Sequence, residues 1–267
     1  MLEKHLSPMS TLLLITRDGA ATIATLNRPD KRNALNVALL EALREAVATT
    51  EKDTSQRIFV LRGAGPVFSS GLDLEEAANV AIADASAELI RRVLEALSTT
   101  RLVTIAAVQG AAIAGGAGLM SACDFAVATI DAKFAYPELR RGIMPALIAT
   151  FLRRQVRERD ARELLLLGKM FDARHALAIG LVNRVVADAP ALETEVRSLI
   201  SSLLQGAPEA MAETKRLLRE LWPVPMAADL ERGHARHLSA RNSGEAREGI
   251  AAFNEKRAPN WVPSDGR

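Results

Sequence analysis

The sequence lacks the features that mark several specialised classes of protein. Cys123 is its single cysteine, so no disulfide can form within the chain. Its 34 basic and 32 acidic residues nearly balance, which gives no reason to expect nucleic acid or a membrane surface as the main partner. No apolar run approaches the roughly 20 residues of a membrane span, and the opening MLEKHLSPMS contains no secretory signal. We therefore expect a soluble, cytoplasmic protein.

Low-complexity segments and flexible linkers are also missing from the chain. Apolar, β-branched runs predict strands at residues 12–16, 22–26, 57–63, 102–110, 124–128 and 132–136. Helical stripes of apolar residues alternate with them, as in residues 86–98, and this alternation predicts an α/β fold. Because the pattern turns mostly helical after about residue 160, we expect a core over residues 1–205 and a helical C-terminal part over residues 206–267.

A glycine-rich stretch, AIAGGAGLM at residues 112–120, joins a predicted buried strand to a short apolar helix. A glycine turn at a helix start leaves backbone N–H groups without intrahelical partners, and such groups attract negative charge. The stretch therefore has two interpretations, an oxyanion site or a close strand–helix crossing that needs glycine for packing. Taken alone, it favours packing.

Two further segments have polar residues beside apolar runs. VFSSGLDL at residues 67–74 is small and glycine-containing, and there Asp73 is expected to cap a helix. In FAYPELRRGIMP at residues 134–145, Glu138 follows a short apolar strand. A carboxylate at that place can be a half-buried base with a raised pKa, or it can form an ion pair with Arg140 or Arg141.

The segments together resemble the crotonase superfamily, the enoyl-CoA hydratase/isomerase family, over nearly the whole chain. LNRPDKRNALN resembles the family's CoA-adenine segment, FSSGLDL its first oxyanion loop and VQGAAIAGGAGLMSACDFAVA its second. FAYPELRRGIMP resembles its catalytic-glutamate segment, and GKMFDARHALAIGLVNRVV and FNEKRAPNW resemble its late core and C-terminal tail. Each motif alone is moderately specific, but their common order and spacing make the resemblance strong.

This resemblance implies a crotonase-like spiral of ββα units with a helical C-terminal part used in trimer assembly, and hence a homotrimer or homohexamer. It implies an acyl-CoA thioester as the ligand, so coenzyme A enters with the substrate and neither a separate cofactor nor a metal is expected. The family polarises the thioester carbonyl with two backbone N–H groups, which map to Leu72 and Gly115. Its catalytic glutamate maps to Glu138.

Contacts with CoA are implied in the same way for residues of three segments. They are Lys31, Asn33, Ala34, Leu35, Ser70, Asp73, Leu74, Phe253 and Lys256. The last two match tail positions that can reach CoA, including CoA on a neighbouring subunit. For Lys31 and Lys256, an ordinary solvated surface position is an equally good interpretation.

The sequence departs from the family pattern at two places. Hydratases of the family use two glutamates, and here the first of those positions is Gly118 while the second is Glu138. A single carboxylate can remove a proton and return it two carbons away, so the residue pair favours double-bond isomerisation over hydration. The stretch PALIAT at residues 145–150 is bulkier than the glycine-rich stretch usual in the family, which predicts a reshaped acyl pocket.

Other activities stay open at this stage. Some family members with glycine at this position act on branched or carboxylated enoyl-CoA substrates, so hydration of such a substrate is an alternative. Decarboxylation and thioester hydrolysis are further ones. From a different class, the missing second glutamate is also compatible with a catalytically silent acyl-CoA-binding subunit.

Overall fold

The computed structural model describes residues 12–77, 80–222 and 225–262 of the chain. The N-terminal segment in which we found no secretory signal lies outside these residues. The described strands are β1 (Leu13–Asp18), β2 (Ala21–Leu26), β3 (Ile58–Gly63), β4 (Val103–Val108), β5 (Ala111–Ile113), β6 (Phe125–Thr129), β7 (Lys133–Ala135), β8 (Phe171–Asp172) and β9 (Arg184–Val186).

The described helices surround these strands. They are α1 (Val37–Lys52), α2 (Leu74–Ala77), α3 (Val80–Thr99), α4 (Gly115–Ala122), α5 (Ala146–Gln155), α6 (Glu158–Leu167), α7 (Ala173–Ala178), α8 (Ala189–Leu203), α9 (Pro208–Glu220), α10 (Met226–Arg241) and α11 (Gly244–Asn254). Short 3₁₀ turns span Pro29–Lys31 and Glu138–Arg141. In the part of the chain described here, no helix is long and apolar enough to cross a bilayer.

The strands form two sheets, and the chain passes from one to the other as it winds. The larger sheet has the order β1-β2-β3-β4-β6-β9, in which only the β1–β2 hairpin is antiparallel. The smaller sheet has the order β5-β7-β8. Since β4 leads into β5 and β6 leads into β7, successive turns of the chain add one strand to each sheet. This winding, with helices outside it, is the predicted α/β spiral.

Strand β4 shows why the larger sheet lies in the centre. All six of its residues are buried, and they alternate between two cores. Ala106 and Val108 face the main core, which α1 and α3 cover, whereas Ile105 faces a second core that α8 covers. A strand buried on both faces reads as a continuous apolar run, as VTIAAV does.

Helix ends agree with the sequence, in which Gly168 predicts a helix end, Asp172 an N-cap and Pro208 a helix start. The Asp172 side chain accepts a hydrogen bond from the His175 amide and caps α7. Gly168 ends α6 with a left-handed φ of 55°, where glycine has no steric cost. Pro208 begins α9. The single thiol is inert, as its apolar flanks suggested, because burial raises the pKa of Cys123 to about 12.

Three local predictions were wrong or incomplete. Residues 111–113 form strand β5, where we expected a turn, because they pair in parallel with β7 across 22 residues of sequence. LVNRVV at residues 181–186 is an apolar run that also predicts a strand, and it is extended only from Arg184. Residues 146–155 form helix α5, which the sequence pattern did not indicate. Beyond residue 206 the described chain is helical, as expected.

Candidate active site

An open cleft of about 770 Å³ lies between α4, the 3₁₀ turn at Glu138–Arg141, α5 and α10. Its apolar wall comes from α3, α5, the start of α2 and the loops before α2 and α5. The branched side chains in that wall are Leu72, Leu74, Ile90, Leu94, Ile143, Leu147 and Ile148. Three residues that the sequence singled out for catalysis, Leu72, Gly115 and Glu138, line this same cleft. An apolar cleft with a few converging polar groups is the usual form of a small-molecule site.

The backbone amides of Leu72 and Gly115 lie side by side. A Cβ atom built on Gly115 would be 3.6 Å from the Leu72 nitrogen. In the parallel bridge between Leu35 and Leu72, Leu35 donates to the Gly71 carbonyl and accepts from the Asp73 amide. The Leu72 N–H therefore points away from Leu35, towards the Gly115 side. Gly115 is the first residue of α4, and its N–H has no acceptor inside that helix.

Backbone strain marks the start of α4. Ala114 has φ 49° and ψ −122°, the conformation that glycine usually supplies at the first central position of a type II′ turn. A non-glycine residue there costs on the order of 1–3 kcal/mol and is kept only where the surroundings impose it. The Ala114 amide donates to the Ala135 carbonyl on β7 at 2.9 Å. This bond holds the strained turn and thereby fixes the direction of the Gly115 N–H.

The glycines of AIAGGAGLM serve three different purposes. A Cβ atom on Gly116 would lie 2.6 Å from the Ser69 carbonyl oxygen, so this glycine is required for close packing. Gly115 has only ordinary contacts, the nearest at 3.5 Å, and it lines the cleft. Gly118 packs against Ile148 of α5, whose Cγ1 atom would lie 3.2 Å from a Cβ atom added at position 118. The packing interpretation is confirmed at Gly116, and the oxyanion role of the neighbouring Gly115 amide stays a prediction.

Glu138 is the only acidic residue among the described residues that line the cleft. Its side chain is buried, and desolvation raises its pKa to about 7, although a backbone hydrogen bond and the Arg141 charge act in the opposite direction. Its Oε2 atom has no hydrogen-bond partner among the described atoms. The ion pair with Arg140 or Arg141 that we weighed is not formed within 4 Å in the described part of the chain. A carboxyl group with a pKa near neutrality can both accept and donate a proton.

Three basic residues of the cleft wall were not among the predicted site residues. Arg141 follows Glu138 in the 3₁₀ turn, and both His237 and Arg241 come from α10, more than ninety residues further on. The only sequence signal was their spacing, since His237 and Arg241 continue the buried face of α10 that Leu230 begins. Polar residues on a buried helix face, four residues apart, are a weak but usable sign of a site.

The segment predicted to bind the CoA adenine packs against the loop before α2. The Asn33 side chain is buried and donates to the carbonyls of Ala64 and Val67 at 2.9 and 2.7 Å. Asp73 forms an ion pair with Arg28 at 2.9 Å and also caps α2 through the Glu75 amide. Lys31 is exposed and pairs with Glu75. These side chains have structural partners, and a contact of theirs with CoA stays a prediction.

The remaining predicted CoA residues divide between the cleft and the surface. Ser70 and Leu74 line the cleft. Ala34 and Leu35 are buried, and Leu35 lies 3.5 Å from the Cβ position of Gly115. Phe253 is half exposed, and the Arg141 guanidinium stacks on its ring at 4.5 Å. Lys256 is exposed and is not among the described residues of the cleft wall.

The sequence is similar to a known protein family and to individual members of it. The sequence model of the family described as "Enoyl-CoA hydratase/isomerase" matches residues 16–264. A Thermus thermophilus relative that carries an enoyl-CoA hydratase name is 36% identical over 248 residues, which cover 91% of this chain and 98% of that protein. Enoyl-CoA hydratase EchA19 of Mycobacterium tuberculosis is 34% identical over 256 residues, 93% of this chain and 95% of its own.

Solved structures agree with the sequence comparison. The crystal structure of an enoyl-CoA hydratase from Mycobacterium avium superposes with a TM-score of 0.84 at 34% identity, over 95% of this chain and 100% of that one. An enoyl-CoA hydratase from Bacillus halodurans gives the same TM-score at 27% identity, over 90% and 99% of the two chains. The cleft, the winding of the two sheets and these matches lead to one conclusion: the chain is an acyl-CoA enzyme that belongs to the enoyl-CoA hydratase/isomerase family, with the crotonase fold.

Proposed function

We propose that this enzyme moves the double bond of an enoyl-CoA thioester, with Glu138 as its one acid/base and the amides of Leu72 and Gly115 as its oxyanion hole. The observation that carries the proposal is the packing around Gly118. Gly118 is the family position of a second glutamate, and Ile148 and Leu94 pack against it instead. In the described part of the cleft, Glu138 is thus without a second carboxylate to share the work.

The reaction begins with proton removal from the carbon next to the thioester carbonyl of a 3-enoyl-CoA. Glu138 takes the proton from C2, and the electrons of that C–H bond spread over C2 to C4 and the carbonyl oxygen. Negative charge grows on the oxygen, where the Leu72 and Gly115 N–H groups can donate hydrogen bonds. A fixed donor of this kind typically contributes about 3–4 kcal/mol to the transition state.

The second half returns the same proton. Protonated Glu138 gives it to C4, the electrons withdraw from the oxygen, and the double bond comes to rest between C2 and C3. No water, metal or redox partner is consumed, and Glu138 ends as it began. The pKa of about 7 suits both halves, because the group is a competent base and a competent acid near neutral pH.

Hydration is the second candidate, and the names of the relatives favour it. In hydration, the elements of water add across the 2,3 double bond, with hydroxide on C3 and a proton on C2. Two carboxylates ordinarily share the activation of water and the protonation of carbon. With apolar side chains against Gly118, Glu138 would have to serve both steps alone.

The two reactions are separated by offering 3-enoyl-CoA and 2-enoyl-CoA thioesters in separate assays and following products by mass. The proposal predicts interconversion of the two enoyl forms, with 3-hydroxyacyl-CoA formed at least tenfold more slowly. Rapid formation of 3-hydroxyacyl-CoA without interconversion would establish hydration instead. Reaction in neither assay, together with tight CoA binding, would support a silent binding subunit.

We also propose that the enzyme works as a homotrimer or homohexamer. Leu217, Leu218 and Leu221 on or just after α9 are exposed in the single chain, as are Leu166 and Leu167 at the end of α6. Apolar side chains grouped on one surface are typical of subunit interfaces. Sedimentation analysis tests this, and a monomer at micromolar concentration would contradict it.

A further inference from the structure

Glu138 and Arg141 share one face of the 3₁₀ turn that begins at Glu138. Side chains three residues apart on such a turn lie over one another, and both residues line the cleft. Neither the Glu138 Oε2 atom nor the Arg141 Nε atom has a hydrogen-bond partner among the described atoms. The positive charge of Arg141 therefore acts on the carboxyl group through space, and it opposes the effect of burial on the pKa of Glu138.

An aromatic ring holds the Arg141 guanidinium. The guanidinium lies over the ring of Phe253 on α11, 4.5 Å from its centroid. A cation on an aromatic face keeps its full charge, whereas a carboxylate in ion-pair contact would largely cancel it. Burial lowers the pKa of this guanidinium, but arginine stays protonated at neutral pH. The stack thus fixes a charge in the cleft wall without neutralising it.

Helix α11 also packs directly on the backbone of the turn. A Cβ atom on Gly249 would collide with the Arg141 carbonyl group, and one on Gly142 would collide with the Glu245 carbonyl group. Glycine on both sides of this contact lets the two backbones touch. The same helix therefore holds the backbone of Arg141 and, through Phe253, its side chain.

The other titratable groups of the turn and of α11 are neutral, screened or paired. Tyr136, two residues before Glu138, is neutral because burial raises the pKa of its phenol. Arg140 and Glu245 are exposed, so water and salt screen their charges. Glu248 forms an ion pair within the C-terminal segment. None of these groups matches the buried, fixed charge of the arginine.

The remaining elements of the cleft wall add no closer charge. His237 on α10 is neutral at pH 7, because burial lowers its pKa to about 4. Arg241 on α10 is buried and interacts with the charge of Asp84 on α3. The residues of α3, α4 and α5 that line the cleft in the described structure have no titratable side chain. Of the described charges, that of Arg141 is the one that acts on Glu138.

A bound substrate makes such a fixed cation more important. An acyl-CoA displaces water from the cleft, and a buried carboxylate then loses the solvation that its charged form needs. Charges inside such a site are screened little, so a cation held nearby offsets part of that loss. Resting on the proposed acid/base role of Glu138, we propose that Arg141 is a positioning residue whose charge keeps the Glu138 carboxyl ionisable in the apolar cleft, and that Phe253 holds this charge in place.

The direct test is the titration of the Glu138 carboxyl in Arg141→Gln. In the free enzyme, the infrared band of the protonated carboxyl is followed against pH and identified by its absence from Glu138→Gln. Loss of the positive charge should move the titration midpoint upward by about 0.5–1 pH unit. A midpoint that is the same in wild type and Arg141→Gln would overturn the proposal.

Two further variants separate charge from packing. Arg141→Lys keeps the positive charge, so its carboxyl midpoint should lie close to that of wild type. Arg140→Gln removes the same charge from an exposed neighbour in the same turn, and it should move the midpoint by less than about 0.2 pH unit. A shift in Arg141→Lys as large as that in Arg141→Gln would show that packing is responsible, and the proposal would be wrong.

The part assigned to Phe253 is tested by a double-variant cycle. Phe253→Leu keeps an apolar side chain but removes the ring, so the midpoint should move in the same direction as in Arg141→Gln and by a smaller amount. In the Arg141→Gln background, Phe253→Leu should add nothing, because the charge that it holds is gone. An equal additional shift there would show that Phe253 does not act through Arg141.

Proton exchange at the α carbon of butyryl-CoA in heavy water links the charge to catalysis. Arg141→Gln should exchange about three- to tenfold more slowly than wild type at pH 6, and the deficit should shrink as the pH rises to 9. If the carboxyl midpoint moves but the pH profile of exchange does not, the role of Arg141 stands and Glu138 is not the acid/base. If the exchange profile moves while the carboxyl midpoint does not, Arg141 acts on another group and the proposal fails.

Discussion

Ile148 of α5 packs directly against the position that the side chain of residue 118 would occupy. Its Cγ1 atom is 3.2 Å from the Cβ position of Gly118, and Leu94 is 3.7 Å from it on the other side. The two departures noted in the sequence, the glycine of α4 and the bulky PALIAT stretch, are therefore one feature of the structure. An added Cβ at position 118 would be tighter against Ile148 than an ordinary van der Waals contact, so the two positions are packed against each other.

This relationship predicts how substitutions at the two positions combine. Gly118→Glu should lower the free energy of unfolding by about 3 kcal/mol, because the carboxylate must enter space held by apolar side chains. Ile148→Ala costs about 2–4 kcal/mol by itself but opens that space. In urea unfolding, the double variant should lose less free energy of unfolding than the two single variants lose together, by about 1–2 kcal/mol. Strictly additive losses would mean that Ile148 does not fill the position.

The neighbouring glycines of α4 should respond differently to the same methyl group. Gly116→Ala places a Cβ 2.6 Å from the Ser69 carbonyl oxygen, which is backbone and cannot move aside cheaply. We expect a loss of about 1–3 kcal/mol in the free energy of unfolding. Gly115→Ala meets only contacts of 3.5 Å and more, so it should change stability by less than about 0.5 kcal/mol. Thermal or urea unfolding of the pair checks this, and equal losses would contradict the packing described.

Glu138 should make stability depend on pH in an unusual direction. Its pKa is about 7 in the folded protein against an ordinary value of 4.5, so folding favours the protonated carboxyl. As pH rises from about 4.5 to about 7, the unfolded chain ionises this group more readily, and the folded state loses stability. The full difference corresponds to about 3 kcal/mol. Glu138→Gln, which cannot ionise, should escape this loss.

The measurement is urea unfolding of wild type and Glu138→Gln at pH 5 and pH 8. The variant should be more stable than wild type by about 2–3 kcal/mol at pH 8, with most of that advantage gone at pH 5. Glu163→Gln, at an exposed position of α6, is the control and should track wild type at both pH values. An advantage that grows towards acid pH would show that the carboxyl is stabilised in its charged form.

The ion pair between Arg28 and Asp73 connects the predicted adenine segment to the loop that carries Leu72. Both side chains are largely buried, and Arg28 also donates to the Ala34 carbonyl at 2.6 Å. Asp73→Asn keeps the shape and the helix cap but removes the charge, so we expect a loss of about 1–3 kcal/mol in stability and a higher KM for acyl-CoA. Glu75→Gln, which breaks the exposed pair with Lys31, should cost less than about 0.5 kcal/mol. If Asp73→Asn and Glu75→Gln had the same stability and the same KM, the Arg28–Asp73 ion pair would not organise the loop that carries Leu72.

Local signals in the sequence predicted much of the fold and part of the site. The β1–β2 hairpin, strand β4, the α6 and α7 ends and the burial of Cys123 all depend on nearby residues, and all were predicted. Strand β5 was missed because Ala111–Ile113 is held extended by pairing with β7 and with Ser69, both distant in sequence. Arg241 was missed because nothing in its own segment shows that α10 docks beside the cleft. Contacts made by tertiary packing leave little trace in a single sequence.

The most direct test of the account is α-proton exchange of a bound thioester in heavy water by wild type and by Glu138→Gln. Wild type should exchange the proton, with a rate that rises through pH 7 as the carboxyl ionises. Glu138→Gln should exchange at least a thousandfold more slowly while its affinity for CoA is unchanged. Exchange by the variant at the wild-type rate would contradict the assignment of Glu138 as the acid/base.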